Sequence, residues 1–333
     1  MFAALMLTLL AGGMNGSFAM PMKRVRGWDW EHTWLAWSFL AMVVLPLALA
    51  AATVPDLGAV YRTTGLQPLV HTVLYGMIWG VGTALFGMGI ARVGLALSFG
   101  IVLGTSSSLG TIIPLVSLHR DRLFTTAGLL VLAGVGIILA GVAACARAGL
   151  LREAVAPQQW SGDSFMIGLG ICLLSGLGST FMSVALNESK PISTAAQTLG
   201  ASPDGSLNAV WPLLLGGGFA VNAVYCVFLL IRRGNAGRFG NAAVANIGLV
   251  LVMAVLWSGS NFVYGAAARG MGPLGLVLGW PVFMAAIMLM ANIWGLLTGE
   301  WRRAGRRAVT WAAGGCLLLI VGISVIASAG SRS

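Results

Sequence analysis

Runs of about twenty apolar residues, broken by short clusters rich in charge, repeat along the whole chain. A helix rises about 1.5 Å per residue and a bilayer core is about 30 Å thick, so each run predicts one membrane crossing. Ten such spans fit, near residues 2–22, 31–53, 67–91, 93–117, 125–146, 163–187, 207–231, 242–269, 272–297 and 304–328. Only helices and closed barrels satisfy their backbone groups in lipid, and runs of this length fit helices. The expected fold class is therefore an all-α integral membrane protein with ten transmembrane helices.

Two of the spans read alike. Trp79 begins Trp-Gly-Val-Gly-Thr-Ala-Leu-Phe-Gly, and Trp257, a little over half the chain further on, begins Trp-Ser-Gly-Ser-Asn-Phe-Val-Tyr-Gly. Across 76–94 only Trp79, Gly87 and Gly94 have identical counterparts, so the echo is short. An echo at about half the chain length suggests two five-helix repeats, 1–150 and 151–333, with a binding site between them. Five spans per repeat is an odd number, which gives the two repeats opposite orientations in the membrane.

Charged residues make up only 8% of the chain while 58% are apolar, and the net charge is +10. The odd-numbered loops hold Lys23, Arg24, Arg26, Arg92, Arg147, Arg152, Arg232, Arg233, Arg238, Arg302, Arg303, Arg306 and Arg307, 13 of the 19 basic residues. Basic loops stay in the cytoplasm, so both termini are expected outside, in the periplasm of a bacterial inner membrane. Scattered over short loops in this way, the positive charge makes no nucleic-acid surface. In the first span the basic residues follow the apolar run instead of preceding it, the reverse of a secretory signal. The connections leave no room for a soluble catalytic or signalling domain, so an enzyme or sensor is disfavoured. Cys145, Cys172, Cys226 and Cys316 all fall inside spans without a CxxC pair or a nearby histidine, and no metal or other cofactor is expected. The 47 glycines suit close helix packing in lipid.

Ionisable groups are nearly absent from the predicted spans. Asp29, Glu31, Asp56, Asp121, Glu153, Asp163, Asp204 and Glu300 fall in loops or at helix ends. Glu188, at the end of the sixth span, and His71, near the start of the third, are the candidates for carrying a proton; a solvated helix end is the simpler reading of each. His32, near the start of the second span, is a lesser candidate.

The spans hold neutral polarity instead: Asn15, Ser17, Thr83, Ser98, the run 105–108, Ser175, Ser179, Thr180, Ser183, Asn222, Ser258, Ser260, Asn261 and Asn292. Hydroxyls and amides beside aromatic faces suit an uncharged, hydroxyl-rich ligand such as a sugar. The same groups can instead bond to their own helix four residues back. Asn15, Thr83, Ser107 and Asn261 are the predicted hydrogen-bonding set, because Thr83 and Asn261 each follow a central tryptophan by one turn and Ser107 lies in a polar turn at mid-bilayer. Trp79, Trp257 and Trp280, the last followed by Pro281, are the predicted stacking walls. Trp28, Trp30, Trp34, Trp160, Trp301 and Trp311 lie near span ends, where indoles anchor the interface.

Three stretches resemble a known family: Pro-Met-Lys-Arg-Val-Arg-Gly-Trp-Asp-Trp-Glu-His-Thr-Trp from Pro21, Gly-Met-Ile-Trp-Gly-Val-Gly through Arg-Val-Gly-Leu-Ala-Leu-Ser-Phe-Gly over 76–100, and Gly-Leu-Leu-Thr-Gly-Glu-Trp-Arg-Arg-Ala-Gly from Gly295. The chain is similar, over its length, to the bacterial L-rhamnose-proton symporters of the drug/metabolite transporter superfamily. The resemblance implies ten helices in two repeats around a central cavity, and rhamnose or related sugar uptake driven by protons. Enterobacterial members carry an aspartate early in the ninth helix, where this chain has Gly275 and Leu276. A proton-independent facilitator, or an exporter of another sugar or small neutral metabolite, is the alternative; oligomeric state is left open.

Overall fold

A computed structural model describes residues 2–93, 95–153, 162–272, 274–299, 301–302 and 304–330. Thirteen α-helices run through them, with no strand among the described residues: α1 Phe2–Ser17, α2 Trp30–Phe39, α3 Leu45–Thr53, α4 Leu57–Thr64, α5 Leu66–Val93, α6 Leu95–Leu118, α7 Thr126–Glu153, α8 Gly162–Glu188, α9 Lys190–Thr198, α10 Trp211–Arg233, α11 Ala243–Gly270, α12 Gly275–Leu297 and α13 Arg306–Gly330. Ten segments are long and apolar enough to cross a membrane, and they coincide with the ten predicted spans to within a few residues at most ends. Trp160, Glu300 and Arg303, and the side chains of Glu153 and Asp163, lie outside the described residues.

The second span is built from two helices. Between α2 and α3, residues Leu40–Val44 form a π turn, and Pro46 follows at once. Proline offers no N–H to the carbonyl four residues back, and the widened turn absorbs the mismatch. The Ala41 carbonyl within that turn accepts the Ser258 hydroxyl of α11 at 2.6 Å.

A second proline is met in the same way. Pro114, inside α6, leaves the Gly110 carbonyl without a helical donor, and Ser183 of α8 supplies one at 2.6 Å. Both hydroxyls mend a backbone break in a neighbouring helix, which fixes the register between the two elements.

Lipid offers apolar surface as favourable as a protein core, so helix association depends on close packing. Glycines provide it here. A Cβ on Gly178 would come within 2.9 Å of the Gly82 Cα, which brings α8 against α5. In the α7–α13 pair, a Cβ on Gly141 or on Gly322 would come within 3.0 Å of the carbonyl of Gly315 or Gly134 respectively. Close pairs include α5 with α8 and α10, α6 with α7, α8 and α12, α1 with α11 and α12, α2 with α10 and α11, α12 with α13, and α7 with α13.

Two short helices add to the expected spans. Amphipathic α4 and α9 pack together on one face of the bundle and bury Val60, Ile192 and Ala196 completely. Asp56 caps α4 by accepting the Ala59 N–H at 2.7 Å. Tyr61 donates to the Ala209 carbonyl at 2.8 Å, and burial pushes its phenol well above the usual tyrosine range, so it stays a donor. The first and seventh loops meet across the bundle, joined by Arg238–Asp29 and Asn246–Arg26 contacts.

Candidate functional site

Trp79 of α5 and Trp257 of α11 meet at the centre, ring centroids 5.8 Å apart and 27° between planes. Both are nearly buried, at 7% and 6% exposure. Trp257 takes the edge of Trp37 at 5.2 Å, and Trp37 stacks on Phe18 and tilts against Trp34 at 4.5 Å. Trp34 in turn stacks on Trp30 at 5.1 Å. Trp30, Trp34, Trp37, Trp257 and Trp79 therefore form a continuous aromatic ladder from the start of α2 to the middle of the bundle. Trp30 and Trp34, expected at the interface, are part of this ladder instead. Trp311, at 43% exposure, fits the interfacial role.

Polar groups flank the ladder. Asn222 of α10 accepts the Trp34 indole N–H at 2.9 Å, and its amide donates to the Gly218 carbonyl at 2.9 Å and to the Thr83 hydroxyl at 3.3 Å. Thr83 also bonds back to the Gly80 carbonyl at 2.7 Å. Asn15 of α1 donates to the Ser260 hydroxyl at 2.8 Å, and Ser260 donates to the Trp257 carbonyl at 2.6 Å. Asn261 is buried and bonds to the same carbonyl at 2.8 Å. The structure thus brings Asn15, Trp79, Thr83, Trp257 and Asn261 together around one stack. It adds Trp34, Trp37 and Asn222, which sequence reasoning did not place in the site.

Ser107 and Trp280 lie in the neighbouring α6–α12 contact. Trp280 is 1% exposed, donates to the Ser106 carbonyl at 3.0 Å and packs on Tyr264 and Phe283. The buried Ser107 hydroxyl and the buried Trp37 indole N–H have no hydrogen-bond partner. Glu188 and His71 are both exposed and stand apart from the stack.

The chemistry missed by the sequence lies at the start of α2. Glu31, expected in a loop or at a helix end, and His32, a lesser candidate for carrying a proton, are wholly buried. Glu31 accepts both Arg233 Nη1 bonds, at 2.9 and 3.1 Å, and the Asn235 amide at 2.7 Å. Asp29 accepts Arg238 at 2.7 and 2.8 Å and the same Asn235 amide at 2.7 Å. Asp29, Glu31 and His32 offer atoms within 4.8 Å of one another, but two guanidiniums already balance the two carboxylates. The arrangement is an ion-pair network, and a divalent cation would have to displace both arginines. Its only signal in the sequence is the opposite charge of two segments that lie far apart in the chain.

An opening of about 460 Å³ lies between α6, α7 and α8, lined mostly by apolar residues such as Ile101, Leu139, Val142 and Leu173, with Thr105 and Arg147 as its polar groups.

Residues 2–331 match the family described as L-rhamnose-proton symport protein (RhaT). Similar proteins include the L-rhamnose-proton symporter of Escherichia coli (strain ATCC 8739), 29% identical over 96% of this chain and 95% of that protein. Those of Citrobacter koseri and Shigella flexneri are each 28% identical over the same shares. With ten apolar helices long enough to cross a bilayer and a family match over nearly all its length, the chain is a multi-pass membrane protein that belongs to the L-rhamnose-proton symport protein family.

Proposed function

We propose that the protein takes up L-rhamnose, or a closely related neutral monosaccharide, together with protons, by alternating access across the bacterial inner membrane. The observation that carries this reading is the family match over residues 2–331, joined to a central site of stacked indoles, amides and hydroxyls. Indole faces pack on the C–H faces of a pyranose, and amides exchange hydrogen bonds with its hydroxyls. Trp79 and Trp257 form the stacking wall, with Asn15, Thr83 and Asn261 as hydrogen-bonding groups and Ser107 and Trp280 at its margin. In the closed arrangement these groups bond to one another, and a sugar replaces those bonds with its own. The reading needs no catalytic residue and no cofactor.

The same proposal includes two inverted five-helix repeats, 1–150 and 151–333, of the drug/metabolite transporter type. Support comes from the helix pairing. When the ten spans are numbered in order, the third packs on the sixth and seventh, and the eighth packs on the first and second; the fourth packs on the fifth and sixth, and the ninth on the tenth and first. Each pair maps onto another by a shift of five. Loop charge supports cytoplasmic odd-numbered loops and periplasmic termini.

Proteoliposomes carrying the purified protein and an inward proton gradient test the reading. Labelled L-rhamnose accumulates and the external medium becomes more alkaline on sugar addition. Uptake without alkalinisation would assign a facilitator; no uptake of any neutral monosaccharide would remove sugar transport altogether.

A further inference from the structure

We infer that Glu31 is the proton-binding group of the transport cycle, and that its bond to Arg233 holds shut the face formed by the first and seventh loops. The inference rests on the proton-coupled reading above.

Glu31 is the one acid among the described residues with a completely buried side chain. Its partner is unlike it: the Arg233 side chain is 54% exposed. Arg233 ends α10, and Asn235 and Arg238 follow it in the short connection to α11, so the three leave α2 together or not at all. Once withdrawn, the arginines are hydrated at once. Glu31 then loses the opposite charge and the amide that balance it, and a carboxylate that loses such partners takes a proton more readily. Opening this face and protonating Glu31 are therefore one linked event.

The surroundings suit that exchange. Around Glu31 are Asp29 and His32 from its own segment, Arg233 and the Cys226 thiol from α10, and Asn235 and Arg238 from the connection. His32 is fully buried, its Nε2 lies 3.0 Å from the Asn235 carbonyl, and its Nδ1 has no partner.

Glu31 also connects to the stack. Trp34, one turn along α2, donates to Asn222, which bonds Thr83, and the ladder continues through Trp37 to Trp257 and Trp79. In the cycle, a proton arriving from the opposite side forms the Glu31 O–H bond as the Arg233 ion pair breaks. The loop face opens, and the proton leaves to the solution there with the sugar. The bare carboxylate then recaptures Arg233 and the face closes.

Two measurements test the inference. The first needs no sugar: with the native cysteines replaced, spin labels at Arg24→Cys and Gly237→Cys, both exposed, report the separation across the loop face. The separation widens as pH falls in the protein carrying Glu31, and stays wide at every pH in Glu31→Gln. A separation indifferent to pH in the presence of Glu31, or a Glu31→Gln protein that still closes with pH, overturns the inference.

The second uses proteoliposomes and L-rhamnose. Glu31→Gln, held open on one face, loses gradient-driven accumulation and sugar exchange alike, whereas Glu31→Asp retains part of both. If Glu31→Gln accumulates rhamnose as the unaltered protein does, the proton binds elsewhere. Failure of the unaltered protein to transport any sugar would sink the functional reading while leaving the spin-label result to judge Glu31.

Discussion

Trp79 stacks on Trp257 at a centroid distance of 5.8 Å, although the two belong to opposite halves of the chain. Each comes from the middle of its span, so the stack sits at the depth where an alternating-access site is reached from either side. The pair is a packing contact beside the polar groups of α1, α5 and α10.

Removing one ring removes a stacking wall. A well-placed aromatic contact contributes about 0.5–1.5 kcal/mol beyond its buried area, which corresponds to an affinity change of up to about tenfold. Trp79→Ala and Trp257→Ala weaken L-rhamnose binding by that order in a fluorescence titration, and Trp257→Phe keeps most of it. Unchanged affinity in both alanine variants would take the stack out of the site.

Asn222 holds three neighbours at once. In Asn222→Ala the Trp34 indole N–H loses its acceptor in a poorly solvated place, a cost of about 1–3 kcal/mol. The variant melts at a lower temperature in detergent. Thr83→Val loses only the long Asn222 contacts of 3.3 and 3.4 Å and a bond to its own helix, and shifts the melt less. Equal melting of Asn222→Ala and the unaltered protein would contradict the network.

Glycine positions divide by what lies opposite. A Cβ at Gly76 would overlap the Leu214 carbonyl, a backbone atom that cannot swing aside, so Gly76→Ala separates α5 from α10 and lowers the yield of folded protein. At Gly216 a Cβ meets nothing within 4 Å, and alanine favours the helix by about 1 kcal/mol. Gly216→Ala therefore expresses and melts as well as the unaltered protein or better; size-exclusion profiles of the two variants check the contrast.

Much of the frame was legible from hydropathy. The ten spans, from Phe2 to Gly330, follow from transfer of apolar residues into lipid, a property each segment has alone. Trp79, Thr83, Asn15 and Asn261 were singled out because polar or aromatic groups at mid-span need a reason to be there, and in the structure they lie around one stack. Short α4 and α9 were not, since helices of eight and nine residues carry too weak a periodic signal among loop residues.

The ends of the spans were where reading residue by residue failed. Glu31 and Trp34 sit at a helix start, a place that for most residues means water or the interface. Their partners, Arg233 and Asn222, are both in α10 and remote in the chain, and reach them only when α10 packs against α2. The sequence by itself determined how many times the chain crosses the membrane and which polar groups are carried into it, because both follow from the chemistry of each segment. Only the tertiary structure decided which of those groups meet, because pairing is a property of two helices in contact and is written in neither one.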